Sequence, residues 1–66
     1  MDLNRKQVVH QKYGPGTVTG LDGRVLRVFF DQFGSHSFRY PEVFAEALKA
    51  AQPEVQAFVE AELRRD

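Results

Sequence analysis

The absence of cysteine is the feature that most constrains how this 66-residue chain can fold. Without thiols, neither a disulfide framework nor a thiolate zinc site can hold a domain of this size together. A chain this short hides only about 60% of its surface on folding, so its stability depends on one apolar core. Apolar residues make up 42% of the sequence and include six phenylalanines, too much for a disordered segment. We therefore expect one domain, residues 1–66.

Charge and hydropathy narrow the classes of partner. Residues 1–40 carry six basic and three acidic side chains, whereas residues 41–66 carry three basic and six acidic ones. An excess of three is small for a dedicated nucleic-acid-binding protein. No apolar run approaches the roughly 18 residues of a membrane span, and no signal-peptide pattern opens the sequence. We expect a cytoplasmic protein with no membrane partner.

The segment 7–40 has the pattern of short strands joined by tight turns. β-Branched and apolar residues predict four strands: 7–11, 17–21, 24–31 and 35–40. Each intervening segment contains glycine, which permits the positive φ that tight turns need. The residues before the first strand, 1–6, are expected to be frayed.

The hairpin around Asp22 can form in two registers. A two-residue loop would place Val18 opposite Arg27, whereas a three-residue loop with Gly23 in the left-handed region places Val18 opposite Leu26. We favour the second register because it places an apolar set on one face of the sheet. That set is Val18, Leu26, Val28 and Phe30.

Two apolar residues of the same strand, Val25 and Phe29, fall on the opposite face. We expect another element to cover this face in part. The next strand also alternates, with His36, Phe38 and Tyr40 on one side.

From Pro41 onward the apolar residues recur at helical spacing. Proline suits the first turn of a helix, and the residue before Pro53 disfavours helical geometry. The pattern therefore predicts two helices, residues 41–51 and 53–65. The predicted fold class is α+β, mainly β. We expect a small SH3-like antiparallel barrel of about four to five strands, with the helices capping an open end or covering the Val25/Phe29 face.

Residues able to do catalytic chemistry are few. Ser35-His36-Ser37 holds the residue types of a hydrolytic triad, but alternation along a strand turns both serines away from His36. His10 and His36 lack the clustered carboxylates or cysteines of a metal site, and we expect them to be partly buried and bonded to backbone. The sequence therefore predicts no enzyme, no metal and no cofactor.

The remaining candidates are surface residues suited to recognition. Aromatic residues in predicted turns are often exposed, and basic groups beside them can stack on bases, pair with phosphates, or form protein–protein contacts. We take six residues as a candidate binding site: Lys12, Tyr13, Arg24, Arg27, Phe33 and Arg39. The three arginines are expected to share the outer face of the sheet. The alternative for the two aromatics is that they fold back to fill the barrel ends.

A motif in residues 7–40 resembles known bacterial modules. Val8-x-His10-x-x-Tyr13-Gly14-x-Gly16-x-Val18, followed by Val28-x-Phe30-Asp31, resembles the Tudor-like domain at the C-terminus of UvrD/PcrA-type helicases. It is similar, more loosely, to the RNA-polymerase-interacting domain of CarD-type regulators and to KOW modules. The resemblance implies a small SH3-like barrel without catalysis. It also implies docking onto RNA polymerase or, for KOW modules, contacts with RNA or with ribosomal and transcription proteins.

The segment after residue 40 departs from the helicase domain, which ends in another strand where this sequence predicts a helix. The segment Phe38-Arg39-Tyr40-Pro41-Glu42-Val43-Phe44 looks more like a short module found alone or appended to various bacterial proteins.

The sequence thus predicts a non-catalytic adaptor that docks a protein partner of the bacterial transcription or DNA-repair machinery, with RNA polymerase the leading candidate. One alternative is direct nucleic-acid binding through Lys12, Arg24, Arg27 and Arg39. A second is self-association through the two helices, and the oligomeric state stays open.

Overall fold

The computed structural model describes residues 2–65, so that Met1 and Asp66 of the predicted domain lie outside the described residues. Four strands come first, then a one-turn helix, a fifth strand and a longer helix. The strands are β1 (Gln7–His10), β2 (Gly14–Asp22), β3 (Val25–Phe30), β4 (Gly34–Arg39) and β5 (Leu48–Ala50). The helices are α1 (Val43–Glu46) and α2 (Pro53–Arg64).

All five strands form one antiparallel sheet in the order β4-β3-β2-β1-β5. The first four strands follow one another as a meander, and β5 returns to pair with β1. A small, mainly β antiparallel fold with two helices is therefore confirmed. Within residues 2–65 no ladder joins β4 to β5, so the sheet is open, and the predicted closure into a barrel is not confirmed.

The predicted helix over residues 41–51 is wrong. After a cis Tyr40–Pro41 peptide bond, only the four residues of α1 are helical, and the chain then extends as β5. The free edge of β1 accounts for the change, because the Gln11 amide donates to the Ala47 carbonyl at 2.9 Å and the Ala51 amide donates to the Gln7 carbonyl at 2.9 Å. Pairing satisfies backbone groups that a longer helix would leave open.

The core lies on one face of the sheet, beneath the helices. The predicted apolar face of Val18 and the β3 residues Leu26, Val28 and Phe30 is confirmed, since each is at most 1% exposed. The predicted second helix is also confirmed as α2, which buries Val55 and Val59 in the same cluster.

The segment before β1 is packed, and the expectation of a frayed segment is wrong for its described residues. Leu3 is 3% exposed and belongs to the core cluster. The Arg5 amide donates to the Val18 carbonyl at 2.7 Å, and the Val18 amide donates in turn to the Lys6 carbonyl at 2.9 Å. These bonds and the burial of one leucine attach the segment to the middle of β2.

The predicted three-residue hairpin loop is wrong, although the apolar face that it was meant to produce does form. Asp22 pairs with Val25, which leaves a two-residue loop that begins at Gly23 with φ +62°. A bulge between Val18 and Gly20 then shifts the register so that Val18 lies opposite Val28. With the two-residue loop alone, Val18 would lie opposite Phe29 and face away from the core. The extra residue of the bulge turns Val18 back toward the core.

The opposite face of the sheet is open. Val25 and Phe29 are each 45% exposed, because both helices pack against the core side. The expectation that another element covers these two residues is wrong.

Gly16 is the position where the sheet tolerates a side chain least. A Cβ there would lie 2.7 Å from Phe30 Cδ1 and 2.9 Å from the Phe29 carbonyl oxygen, whereas a Cβ at Gly20 meets nothing within 4 Å. We expect Gly16→Ala to lower the free energy of unfolding by about 1–3 kcal/mol or more. Gly20→Ala should change it by less than about 0.5 kcal/mol. Urea melts of the two variants measure the difference, and equal midpoints would contradict the packing described.

The burial of α2 makes the helix a structural part of the domain. Val59 is 0% exposed, so Val59→Ala should cost about 2 kcal/mol through lost burial and a residual cavity. Ala61→Ser, on the exposed side of the same helix, serves as the control and should stay within about 0.5 kcal/mol of the parent. Thermal unfolding measures both, and an unchanged melting temperature for Val59→Ala would show that α2 does not stabilise the sheet.

Candidate binding site

Two hairpin loops at the same end of the sheet are built alike. In each, three residues connect the strands and a glycine with positive φ follows: Gly14 at +82° after β1, and Gly34 at +76° after β3. The residue before the glycine is aromatic in both loops, Tyr13 in one and Phe33 in the other. Because the meander places the loops side by side, the two ring centroids lie 5.2 Å apart.

These loops complete a group of six rings that we call the loop-end aromatic cluster. Its members are His10, Tyr13, Phe30, Phe33, His36 and Phe38. The Tyr13 ring stacks between the rings of His10 and His36, with both centroid distances 4.6 Å. Phe30 is fully buried at the base, and Phe33 is 52% exposed at the outer end. Tyr13 is thus partly folded back, as the alternative expected, whereas Phe33 is not.

Each loop is fixed by a histidine from a neighbouring strand. His10 Nδ1 accepts hydrogen bonds from the backbone amides of Lys12 at 3.0 Å and Tyr13 at 3.2 Å. His36 Nε2 lies 3.1 Å from the Phe33 carbonyl oxygen, to which it must donate. The expectation of partly buried histidines bonded to backbone is confirmed for both.

The His10 ring is held in its neutral form. Burial lowers the pKa of His10, and the nearby His36 and Lys12 lower it further. Because Nδ1 accepts two amide protons, the ring proton of the neutral form lies on Nε2. A proton on Nδ1 would point at the amide protons of Lys12 and Tyr13 and break both hydrogen bonds. The observed loop therefore requires a neutral His10.

The six predicted residues do not form one site. Lys12 lies in the loop beside Tyr13, whereas Arg24 lies at the opposite end of β3, which spans six residues or about 20 Å. Arg24 Nη2 binds Glu42 Oε2 at 3.3 Å. Arg27 and Arg39 do share one face, as predicted, because Arg27 pairs with Ser37 and Arg39 follows two residues later on β4.

We call this exposed side of the sheet the outer face. Its residues are Gln7, Val9, Pro15, Thr17, Gly20, Asp22, Val25, Arg27, Phe29, Ser35, Ser37, Arg39 and Lys49. Phe29 lies near the middle, paired across the sheet with Thr17 and Ser35. Sequence reasoning missed Phe29 as a candidate because it expected the ring to be covered. The available signal was a strand that is apolar on both faces.

A backbone amide on one edge of the sheet is bonded by a side chain of α2. On β5, the Ala50 amide donates to Gln56 Oε1 of α2 at 2.9 Å, and Gln56 Nε2 donates to Glu60 at 3.0 Å. The sequence does not predict this contact, because a glutamine on the polar side of a helix is common and gives no indication of a partner.

The other edge, β4, is free. The Tyr40 amide donates to the Arg24 carbonyl at 2.8 Å, which sets the alternation of hydrogen-bonded pairs along this antiparallel ladder. Ser35, Ser37 and Arg39 therefore turn their N–H and C=O groups away from β3. Among residues 2–65, no loop or helix backbone bonds to these three residues.

No family model, curated protein or solved structure matches this chain. Within the described part of the chain, no three His, Asp or Glu side chains are grouped to hold a metal ion. Neither α1 nor α2 is long and apolar enough to cross a membrane.

The two amide bonds to His10 make stability depend on pH. Because the pKa of His10 is lowered in the folded state, its contribution is fully present above the unfolded value of about 6.5 and is lost as the pH falls below it. We expect the parent to lose stability in urea melts as the pH is lowered from neutral to below about 6.5. His10→Asn retains an acceptor but does not titrate in this range, so its stability should be lower overall and flat with pH.

His36→Asn provides the matched control, because it leaves the His10 ring and both amide bonds in place. Burial is the largest cause of the lowered pKa of His10 and His36 adds to it, so His36→Asn should retain most of the acid dependence of the parent. A His10→Asn profile as steep as that of the parent would show that another group causes the loss.

Proposed function

We propose that this chain is a non-catalytic binding module that docks a protein partner of the bacterial transcription or DNA-repair machinery, with RNA polymerase as the leading candidate. The observation that carries the proposal is the difference between the two sheet edges. The β5 edge is bonded by Gln56 from α2, whereas the main-chain groups of β4 face outward without such a cover. Docking then occurs by addition of an extended partner strand to β4.

The chemistry of β4 suits this mode of binding. Outward N–H and C=O groups on three alternate residues supply main-chain hydrogen bonds and therefore affinity. Side chains on either side of the edge supply selectivity. His36 and Phe38 are half-buried on the core side, and Ser37 and Arg39 are exposed on the outer face. A partner segment with an apolar residue toward Phe38 and an acidic residue toward Arg39 fits this arrangement.

The position of β5 supports the resemblance to the Tudor-like helicase domains. Those domains end in another strand, and the expected helix over residues 41–51 was the point of departure. Residues 48–50 instead pair with β1 across the sheet. A fifth strand after residue 40 therefore removes part of the difference on which that departure rested.

Self-association through the helices is not retained as an alternative. Val55 and Val59 of α2 are buried in the core, and Phe58 and Leu63 pack against the same cluster. The apolar stripe that would join two copies is therefore already used inside one copy.

A proline substitution on β4 tests the docking mode. The Ser37 amide points away from β3, so Ser37→Pro removes an outward donor and leaves the existing ladder bonds in place, which an edge strand tolerates. We expect Ser37→Pro to weaken binding to immobilised bacterial RNA polymerase core enzyme at least tenfold. Ser37→Thr keeps the amide and should bind as the parent does.

Folding of both variants is checked by thermal unfolding and amide spectra, so that a loss of binding is not mistaken for a loss of structure. If the parent binds neither the polymerase nor a protein retained from nuclease-treated lysate, the proposed function fails. Equal binding of the parent and Ser37→Pro would show that the partner docks elsewhere.

A further inference from the structure

We infer that the outer face binds single-stranded nucleic acid, with a base stacked on Phe29 and phosphates bound by Arg27 and Arg39. This surface uses side chains on the face of the sheet rather than the main-chain edge of β4. It shares Arg39 with the proposed docking surface but does not use the main-chain groups of β4, so variants at Phe29 and Ser37 test the two proposals separately.

The charges of the outer face are those of a surface that binds a polyanion. Arg27, Arg39 and Lys49 are exposed there, and Asp22, at the end of β2, is the one carboxylate among the outward-facing residues of the described strands. The ion pairs found within residues 2–65 are Arg24–Glu42 and Arg65–Glu62. The three cations therefore have no carboxylate partner in the described chain.

Two of these cations are close neighbours. Arg27 lies opposite Ser37, and Arg39 is two residues farther along β4, so their Cα atoms are diagonal neighbours about 7–8 Å apart. Like charges at such positions repel one another and do not stabilise the sheet. A chain of phosphates bound across them would remove that repulsion.

Three acidic residues lie on the other side of the molecule, whereas Glu42 and Glu46 line surface concavities beside Arg39 without pairing with it. Glu54, Glu60 and Glu62 belong to α2, whose buried valines pack against the core face of the sheet. A formal net charge of zero therefore conceals a basic sheet face opposed to an acidic helix. Such a distribution orients a polyanion toward the outer face.

Phe29 supplies the contact that favours a base over an acidic protein segment. Its side chain is 45% exposed, and its cross-strand neighbours Thr17 and Ser35 are too small to enclose the ring. Protein anchors bind in pockets that exclude water, whereas a base needs only an accessible ring. Arg27 is two residues from Phe29 on the same face, about 7 Å along the strand.

The same ring favours an unpaired strand over a double helix. Bases in a duplex are stacked on one another and present only their edges in the grooves. Phe29 could then contribute nothing to binding. A single strand exposes the flat side of its bases and its phosphates together.

Fluorescence anisotropy with four labelled probes tests the inference: oligo-dT and oligo-U of 12 nucleotides, a 12-base-pair DNA duplex, and a polyglutamate peptide of equal charge. At ~50 mM salt we expect the parent to bind the single strands most tightly. With three phosphates neutralised, the log–log salt slope should be about −2. Arg27→Gln with Arg39→Gln should make it shallower by about 1.4.

Variants at Phe29 separate stacking from simple apolar contact. Phe29→Leu should weaken single-strand binding at least fivefold at an unchanged salt slope. Phe29→Tyr keeps an aromatic ring and should bind as tightly as the parent. Arg64→Gln with Arg65→Gln, at the C-terminal end of α2, makes the same change of net charge and should leave the affinity unaltered. Because all of these positions are exposed, the variants should retain the parent's thermal stability.

Four results would overturn the inference. They are no binding of either single strand at ~50 mM salt, tighter binding of the duplex, tighter binding of the polyglutamate peptide, and an equal loss of affinity in the α2 double variant. Tighter binding of the peptide would assign the outer face to an acidic protein instead. The proposed polymerase contact is measured separately through Ser37, so either proposal can fail without the other.

Discussion

The contact between Phe30 and Gly16 is the one on which the rest of the structure depends. Phe30 is 0% exposed and occupies the space that a side chain at position 16 would take. The same ring touches the core on one side and four rings of the loop-end aromatic cluster on the other, with centroid distances of 5.2–6.0 Å. Together with Tyr13 and Phe38, which also pack against the core, Phe30 thus joins the core of this small domain to its loops.

The two helices cover one face of the sheet and leave the other face open. α2 packs on the core face, and its Gln56 also bonds the backbone of β5. The outer face and the β4 edge receive neither kind of cover in residues 2–65. The uncovered face and edge are where both proposed interactions lie.

The candidate residues were predicted with different success because they depend on different kinds of information. Alternation in a strand is local, so the shared face of Arg27 and Arg39 followed from spacing. The pairing of Tyr13 with Phe33 depends on two loops 20 residues apart meeting at one end of the meander, which spacing alone does not give. Phe29 was missed because its exposure depends on where the helices pack.

The sequence by itself determined the strands of residues 7–40, which of their residues face inward or outward, the glycine-containing turns between them, and the second helix. These follow from alternation, turn chemistry and proline, which act within a few residues. Only the tertiary structure decided that residues 48–50 extend, since the unpaired edge of β1 outweighs their helical spacing. It also decided the hairpin register, because the bulge in β2 serves the packing of Val18 in a core that forms only when the whole chain folds.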